Sequence, residues 1–153
     1  MKRMTLTMAA ALAVAAAGAG VARADALYEV TKTEPKLAVG GTATASVTIK
    51  AKGGWHMNAE APITVALTPP AGLSVAKPKL GRADLAASTA ESARFDIAVS
   101  ATEAGKKTLS AEARFVICQE AACKPVKETV ALALEVTPAA TAAKTPSKKH
   151  KSN

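Results

Sequence analysis

An all-β sandwich is the fold this sequence predicts, and three observations predict it. Apolar and polar residues alternate with a period of two in segment after segment. Gly and Pro clusters punctuate those segments at short intervals. Alanine abundance would favour helix by propensity alone, yet little of residues 25–137 repeats its apolar side chains at helical spacing.

The segments follow in order. LYEVTKT (27–33) is the first. TATASVTIKA (42–51) sets Ala43, Ala45, Val47 and Ile49 on one face and Thr42, Thr44, Ser46, Thr48 and Lys50 on the other, as a half-buried strand does. Gly40-Gly41 and Gly53-Gly54 break the chain on either side. ITVAL (63–67) ends at Pro69-Pro70-Ala71-Gly72, and LSVAK (73–77) follows. ARFDIAVSA (93–101) alternates Phe95, Ile97 and Val99 with Arg94, Asp96 and Ala98. Glu103-Ala104-Gly105-Lys106 reads as a turn, and KTLSAEARFVI (107–117) and VKETVALALEV (126–136) close the domain. GRADLAASTAES (81–92) has room for one helical turn but reads as a loop. Seven to eight short antiparallel strands spaced this way predict an immunoglobulin-like sandwich.

The ends of the chain read differently. Lys2 and Arg3 precede an apolar, alanine-rich run that ends at Ala22-Arg23-Ala24. This is the layout of a cleaved export leader, expected at residues 1–24. The mature chain is then periplasmic or secreted and does not span a membrane. Residues 138–153 hold Ala, Thr, Pro, Ser and Lys with no large apolar side chain, which predicts a disordered basic tail. The formal charge of +8 belongs mostly to these ends. Lys2, Arg3 and Arg23 fall in the leader and Lys144, Lys148, Lys149 and Lys151 in the tail. That leaves 13 Lys and Arg against 12 Asp and Glu in residues 25–137. Such a balanced domain lacks the clustered basic face of a nucleic-acid binder. Its length of about 110 residues is ordinary for one hydrophobic core.

Two cysteines occur, Cys118 and Cys123, in FVICQEAACKPV. An exported chain matures where thiols are oxidised, so the pair is expected to form one disulfide. The strand reading places it at a hairpin connection on one edge of the sandwich. Closing so short a loop gains about 2 kcal/mol of chain entropy, low for a disulfide, and a domain of this size folds without a staple. Two readings stand: a purely structural bond in a non-catalytic binding module, or a reagent for thiol–disulfide exchange. Exchange needs a thiolate, an accessible sulfur and a resolving thiol. Lys124 and Lys127 lie beside Cys123 in sequence and favour a thiolate there, while Glu120 opposes it and no histidine is near.

Two stretches carry a family resemblance. They are GGWHMNAEAPITVALTPPAGLSV (53–75) and FVICQEAACKPVKETVALALEV (115–136). The second has the form aromatic-x-x-Cys, short loop, Cys-x-Pro, final strand. Together, and in this order, they resemble the N-terminal periplasmic domain of the thiol:disulfide interchange protein DsbD, over most of residues 27–136. The resemblance implies an immunoglobulin-like fold and an electron relay that passes reducing equivalents to thioredoxin-like periplasmic partners. It implies that Cys123 is the exchanging sulfur and Cys118 its resolving partner, with no cofactor. Full-length members of that family continue into a membrane conduit and a thioredoxin-like domain. This sequence shows neither, so the reductant is expected to be a separate protein. The family also covers its cysteines with an aromatic-bearing cap loop, and residues 81–92 contain no aromatic side chain.

The remaining candidates read more plainly. Trp55 is expected to plug the core between the sheets. His56 and Met57 have the softness for copper(I) when joined to cysteine thiolates, but oxidised cysteines do not ligate and two donors are too few. No metal site is therefore expected. His150, in the tail, reads as a solvated residue. No paired carboxylates, Ser-His-Asp set or Gly-rich phosphate loop stands out.

Overall fold

The computed structural model describes residues 26–140. The leader expected at 1–24, and the tail from residue 141 onward, lie outside the described residues. The seven segments named above are all strands. They are β1 (Tyr28–Thr33), β3 (Thr42–Ala51), β5 (Thr64–Thr68), β6 (Leu73–Val75), β9 (Ser92–Ala101), β10 (Gly105–Gln119) and β11 (Ala122–Thr137). Four short strands add to them: β2 (Lys36–Ala38), β4 (His56–Met57), β7 (Lys79–Leu80) and β8 (Leu85–Ser88). None of the four is long enough to display a period of two.

These strands form the two layers of an immunoglobulin-like β-sandwich. One sheet runs β1-β3-β9-β6, with β8 also on β9. β6 and β8 pair with different stretches of the edge of β9 that β3 leaves free. The other sheet runs β2-β11-β10-β5-β7, with β4 also on β10. Pairing is antiparallel throughout except between β2 and β11, which run parallel from Glu135 to Thr137. The alternation read from sequence faces inward as expected. Val47, Ile49, Phe95, Ile97, Leu109 and Leu132 are all fully buried. Each such side chain contributes about 1.5–3 kcal/mol by leaving water. Ala45, Ala111 and Ala113 are buried beside them, so position on the inner face overrides the helix propensity of alanine.

Residues 81–92 correct the loop reading. Arg82–Asp84 form a 3-10 turn whose Asp84 carboxylate accepts from the Gly81 amide at 2.8 Å and from Lys77 at 2.6 Å. Leu85–Ser88 then pair with the edge of β9. All but Leu85 are exposed in that strand, so burial imprints no alternation on the sequence.

Side chains from the first strand and from the residue just after it lace the two sheets together. Tyr28 packs edge-on against Phe115 at 5.2 Å between ring centres, and its hydroxyl donates to Glu128 Oε2 at 2.6 Å. Farther along, Lys32 Nζ donates to the Ala131 carbonyl at 2.5 Å, and Glu34 Oε1 accepts from the Ala133 amide at 2.8 Å. These contacts satisfy backbone groups on the edge of β11 that β2 does not reach.

Candidate functional site

The β10–β11 hairpin carries the cysteines at its tip. Gln119 pairs with Ala122, so the turn consists of Glu120 and Ala121. Cys118 and Cys123 face each other directly in the antiparallel register and are bonded, with Cα atoms 4.0 Å apart. The disulfide expected from sequence is present. The inward residues of this stretch are Phe115 and Ile117, so the cysteines, one position out of phase with them, sit on the outer face of the sheet.

The two sulfurs are not equivalent. Cys118 is only 6% exposed, whereas Cys123 is exposed on a stretch of β11 with no outer strand partner among the described residues. The strand that covers Cys118 is β4. Gly53 and Gly54, at φ 61° and 79°, make the left-handed turn that delivers it, a conformation costly for any other residue. β4 then pairs His56 with Cys118 and Met57 with Ile117. Its other side is tied by the Met57 amide to the Ala90 carbonyl at 2.7 Å. His56, Cys118 and Cys123 therefore form one cross-strand row on the outer face. The imidazole that sequence reasoning found nowhere near the cysteines is brought there by strand pairing.

Asn58, just past β4, completes the surroundings of Cys118. Its Nδ2 donates to Cys118 Sγ at 3.2 Å. Its Oδ1 accepts from the Glu60 and Ala61 amides at 2.8 and 2.9 Å, and its own amide donates to the Val116 carbonyl at 2.9 Å. Sequence reasoning missed Asn58 as a site residue. The signal available was its place in GGWHMN, the stretch quoted for the family resemblance.

Two expectations change here. Trp55 is no plug between the sheets. It is half-buried at the margin of the core, with Lys124 Nζ 6.0 Å from its ring centre. Lys124 pairs with inward-facing Ile117, so it lies on the opposite face from Cys123. Lys127 is held by Glu112 at 3.0 Å. That bond, and a second from Arg114, keep the Glu112 carboxyl below its ordinary range. The cationic help expected for a Cys123 thiolate is thus directed elsewhere. His56 is exposed and Met57 buried, so these two neighbours point to opposite faces.

Two concavities are lined by residues that neighbour the cysteines. A shallow one of about 320 Å³ lies on the outer face, with Pro62, Val116 and Pro125 as its apolar floor and Arg114 and Lys127 at its rim. Val116 and Pro125 are a register pair, like the cysteines. A cleft of about 570 Å³ runs on the other side of β4, past His56, Asn58, Arg82 and Thr89.

No protein-family model matches the chain, and no curated protein matches it. Solved structures that resemble it include domains 4 and 5 of the S-layer protein SbsC, with 18% identity, TM-score 0.40, and coverage of 72% of this chain and 50% of that one. The chain thus spans half the length of that match. AggA, the major subunit of aggregative adherence fimbriae type I from Escherichia coli, aligns with 11% identity over 72% of this chain and 94% of its own, TM-score 0.40. A PapD-like domain of human CEP192 aligns with 9% identity over 73% and 84%, TM-score 0.40.

Proposed function

We propose that this chain is an exported thiol:disulfide relay module, similar to the N-terminal domain of DsbD, in which Cys118 and Cys123 exchange with a thioredoxin-like partner. The observation that carries this reading is the asymmetry of the pair. One sulfur is exposed at a hairpin tip, and the other is buried and hydrogen-bonded behind it. Exchange needs one sulfur that a partner can reach and one that only its neighbour can reach. A purely structural bond needs neither.

Exchange takes two successive attacks by sulfur. In the reduced pair, the Cys123 thiolate attacks a sulfur of the partner disulfide, and the partner's other sulfur leaves as a thiolate. The Cys118 thiolate then attacks Cys123 Sγ in the mixed disulfide and expels the partner's remaining sulfur. Two electrons pass to the partner, and the two protons of the pair follow to its thiols. The apolar floor beside the cysteines offers a seat for the partner's surface.

The test is covalent capture in the native host. Cys118→Ala keeps the attacking thiol and removes the resolver, so it accumulates a mixed disulfide with a thioredoxin-like protein. Cys123→Ala accumulates far less. A pair whose potential against glutathione lies below about −300 mV behaves as an inert bond, and that result rejects the relay in favour of a non-catalytic interaction module. Equal capture by both variants removes the assignment of roles.

A further inference from the structure

We infer that Asn58 is a catalytic residue of this pair: its side-chain amide donates a hydrogen bond to Cys118 and stabilises the thiolate that forms there. The inference rests on the exchange reading above and identifies the group that serves the buried sulfur. Two backbone amides, those of Glu60 and Ala61, point at one end of the Asn58 side chain, at 2.8 and 2.9 Å. That end must be the oxygen, because only an oxygen accepts. The NH₂ end is thereby turned toward Cys118 Sγ, 3.2 Å away. The backbone around it is equally fixed. The Asn58 amide donates to the Val116 carbonyl at 2.9 Å, and Arg82 Nη2 donates to the carbonyls of Asn58, at 3.3 Å, and Ala61. A donor held from four sides is placed in advance of the chemistry.

A disulfide sulfur is a weak acceptor, whereas a thiolate is an anion, and hydrogen bonds to ions are roughly twice as strong. The same N–H therefore favours the reduced, ionised Cys118 over the oxidised one. When a partner thiolate attacks exposed Cys123, the S–S bond breaks and its electron pair goes to Cys118 Sγ, the atom that faces the donor. In the opposite direction a larger thiolate fraction at Cys118 resolves the mixed disulfide at neutral pH. Burial acts against that thiolate, so a fixed donor has an effect here that it would lack at exposed Cys123. The charged or titratable side chains on the same outer face toward the tip are His56 on β4, Glu112 and Arg114 on β10, and Lys127 on β11; Lys106, Glu135, Lys36 and Lys79 share that face farther from the cysteines. Glu120 lies in the turn and Arg82 beyond Asn58. Arg114 and Lys127 are both bonded to the Glu112 carboxylate.

The experiment titrates Cys118 by its ultraviolet thiolate absorbance in the full chain carrying Cys123→Ala. Asn58→Ser keeps an oxygen for the turn and removes the amide donor without adding charge. Asn58→Asp keeps the shape and the acceptor and adds a negative charge. The expected result is a Cys118 pKa raised by about one unit in Asn58→Ser and by more in Asn58→Asp, with unchanged thermal melting. The Asn58→Ser shift persists when His56→Gln is added. A shift in Asn58→Asp alone marks a charge effect and overturns the inference, as does no shift in either. Mixed-disulfide capture separates this from the relay. A shifted pKa without capture sinks the relay and leaves Asn58 as the donor. Capture with an unshifted pKa sinks the role of Asn58 alone.

Discussion

Between Leu109 and Ala113, β10 runs between β11 on one side and β5 on the other, and its inward residues Leu109, Ala111 and Ala113 have no exposure. Between Phe115 and Gln119 the same strand keeps β11 on one side but has only the two residues of β4 on the other, and the outer edge of β11 there has no strand partner among the described residues. In the first half of this ribbon β10 has a strand along both of its edges. The second keeps its inner face in the core but lends its outer face and tip to the sulfurs. Stability concentrated in one half of a ribbon lets a bond at the other end open without unfolding the domain.

The strongest way to break this comparison is to cut the core in both halves. Leu132→Ala, in the held half, is expected to cost about 3 kcal/mol, whereas Val126→Ala, half-buried near the tip, costs about 1 kcal/mol. Urea unfolding measures both, and equal costs would erase the distinction. Next, replacing both cysteines by alanine is expected to cost about 2 kcal/mol or less. The transition midpoint then falls while the slope against denaturant stays as it was. A larger loss, or a changed slope, would make the disulfide a structural member. Third, Tyr28→Phe removes the hydroxyl that bonds Glu128 while keeping the ring against Phe115. About 1 kcal/mol is expected from unfolding curves, because this contact ties β11 to the opposite sheet.

The smallest effect belongs to acid. Glu112, whose carboxyl is held down first by Lys127 and then by Arg114, favours folding at pH values above the ordinary carboxylate range. That contribution disappears as the pH falls through its lowered folded value. The difference in melting temperature between the native chain and Glu112→Gln is therefore present at neutral pH and closes in acid. It also shrinks at high salt, since the group is exposed. A difference that grows in acid would contradict the triad.

The long strands were legible because each buries one face, and burial writes a period of two into the sequence. The short strands were not. β4 has two residues and β8 is almost wholly exposed, so neither leaves an alternation to read. The candidate site divides the same way. The bonded cysteines could be foreseen from their spacing and from the export leader expected at residues 1–24. The neighbours of Cys118 could not, because Asn58 lies 60 residues away and meets the sulfur through the pairing of a two-residue strand. Lys124 misled for a related reason: adjacent residues in a strand point to opposite faces, so nearness in sequence to Cys123 meant separation in space.

The direct facing of Cys118 and Cys123 also bears on how the hairpin finds its alignment. A β10–β11 pairing slipped by one residue would turn Cys123 to the opposite face from Cys118. Sulfurs so arranged cannot close a bond. The disulfide therefore acts as a ruler, and closing it across five residues selects one alignment for the two longest strands among the described residues. The bond spans so short a loop that it can form before any distant strand arrives. A thiol pair that later exchanges electrons would thus first have recorded, in covalent form, which of the possible hairpins was made.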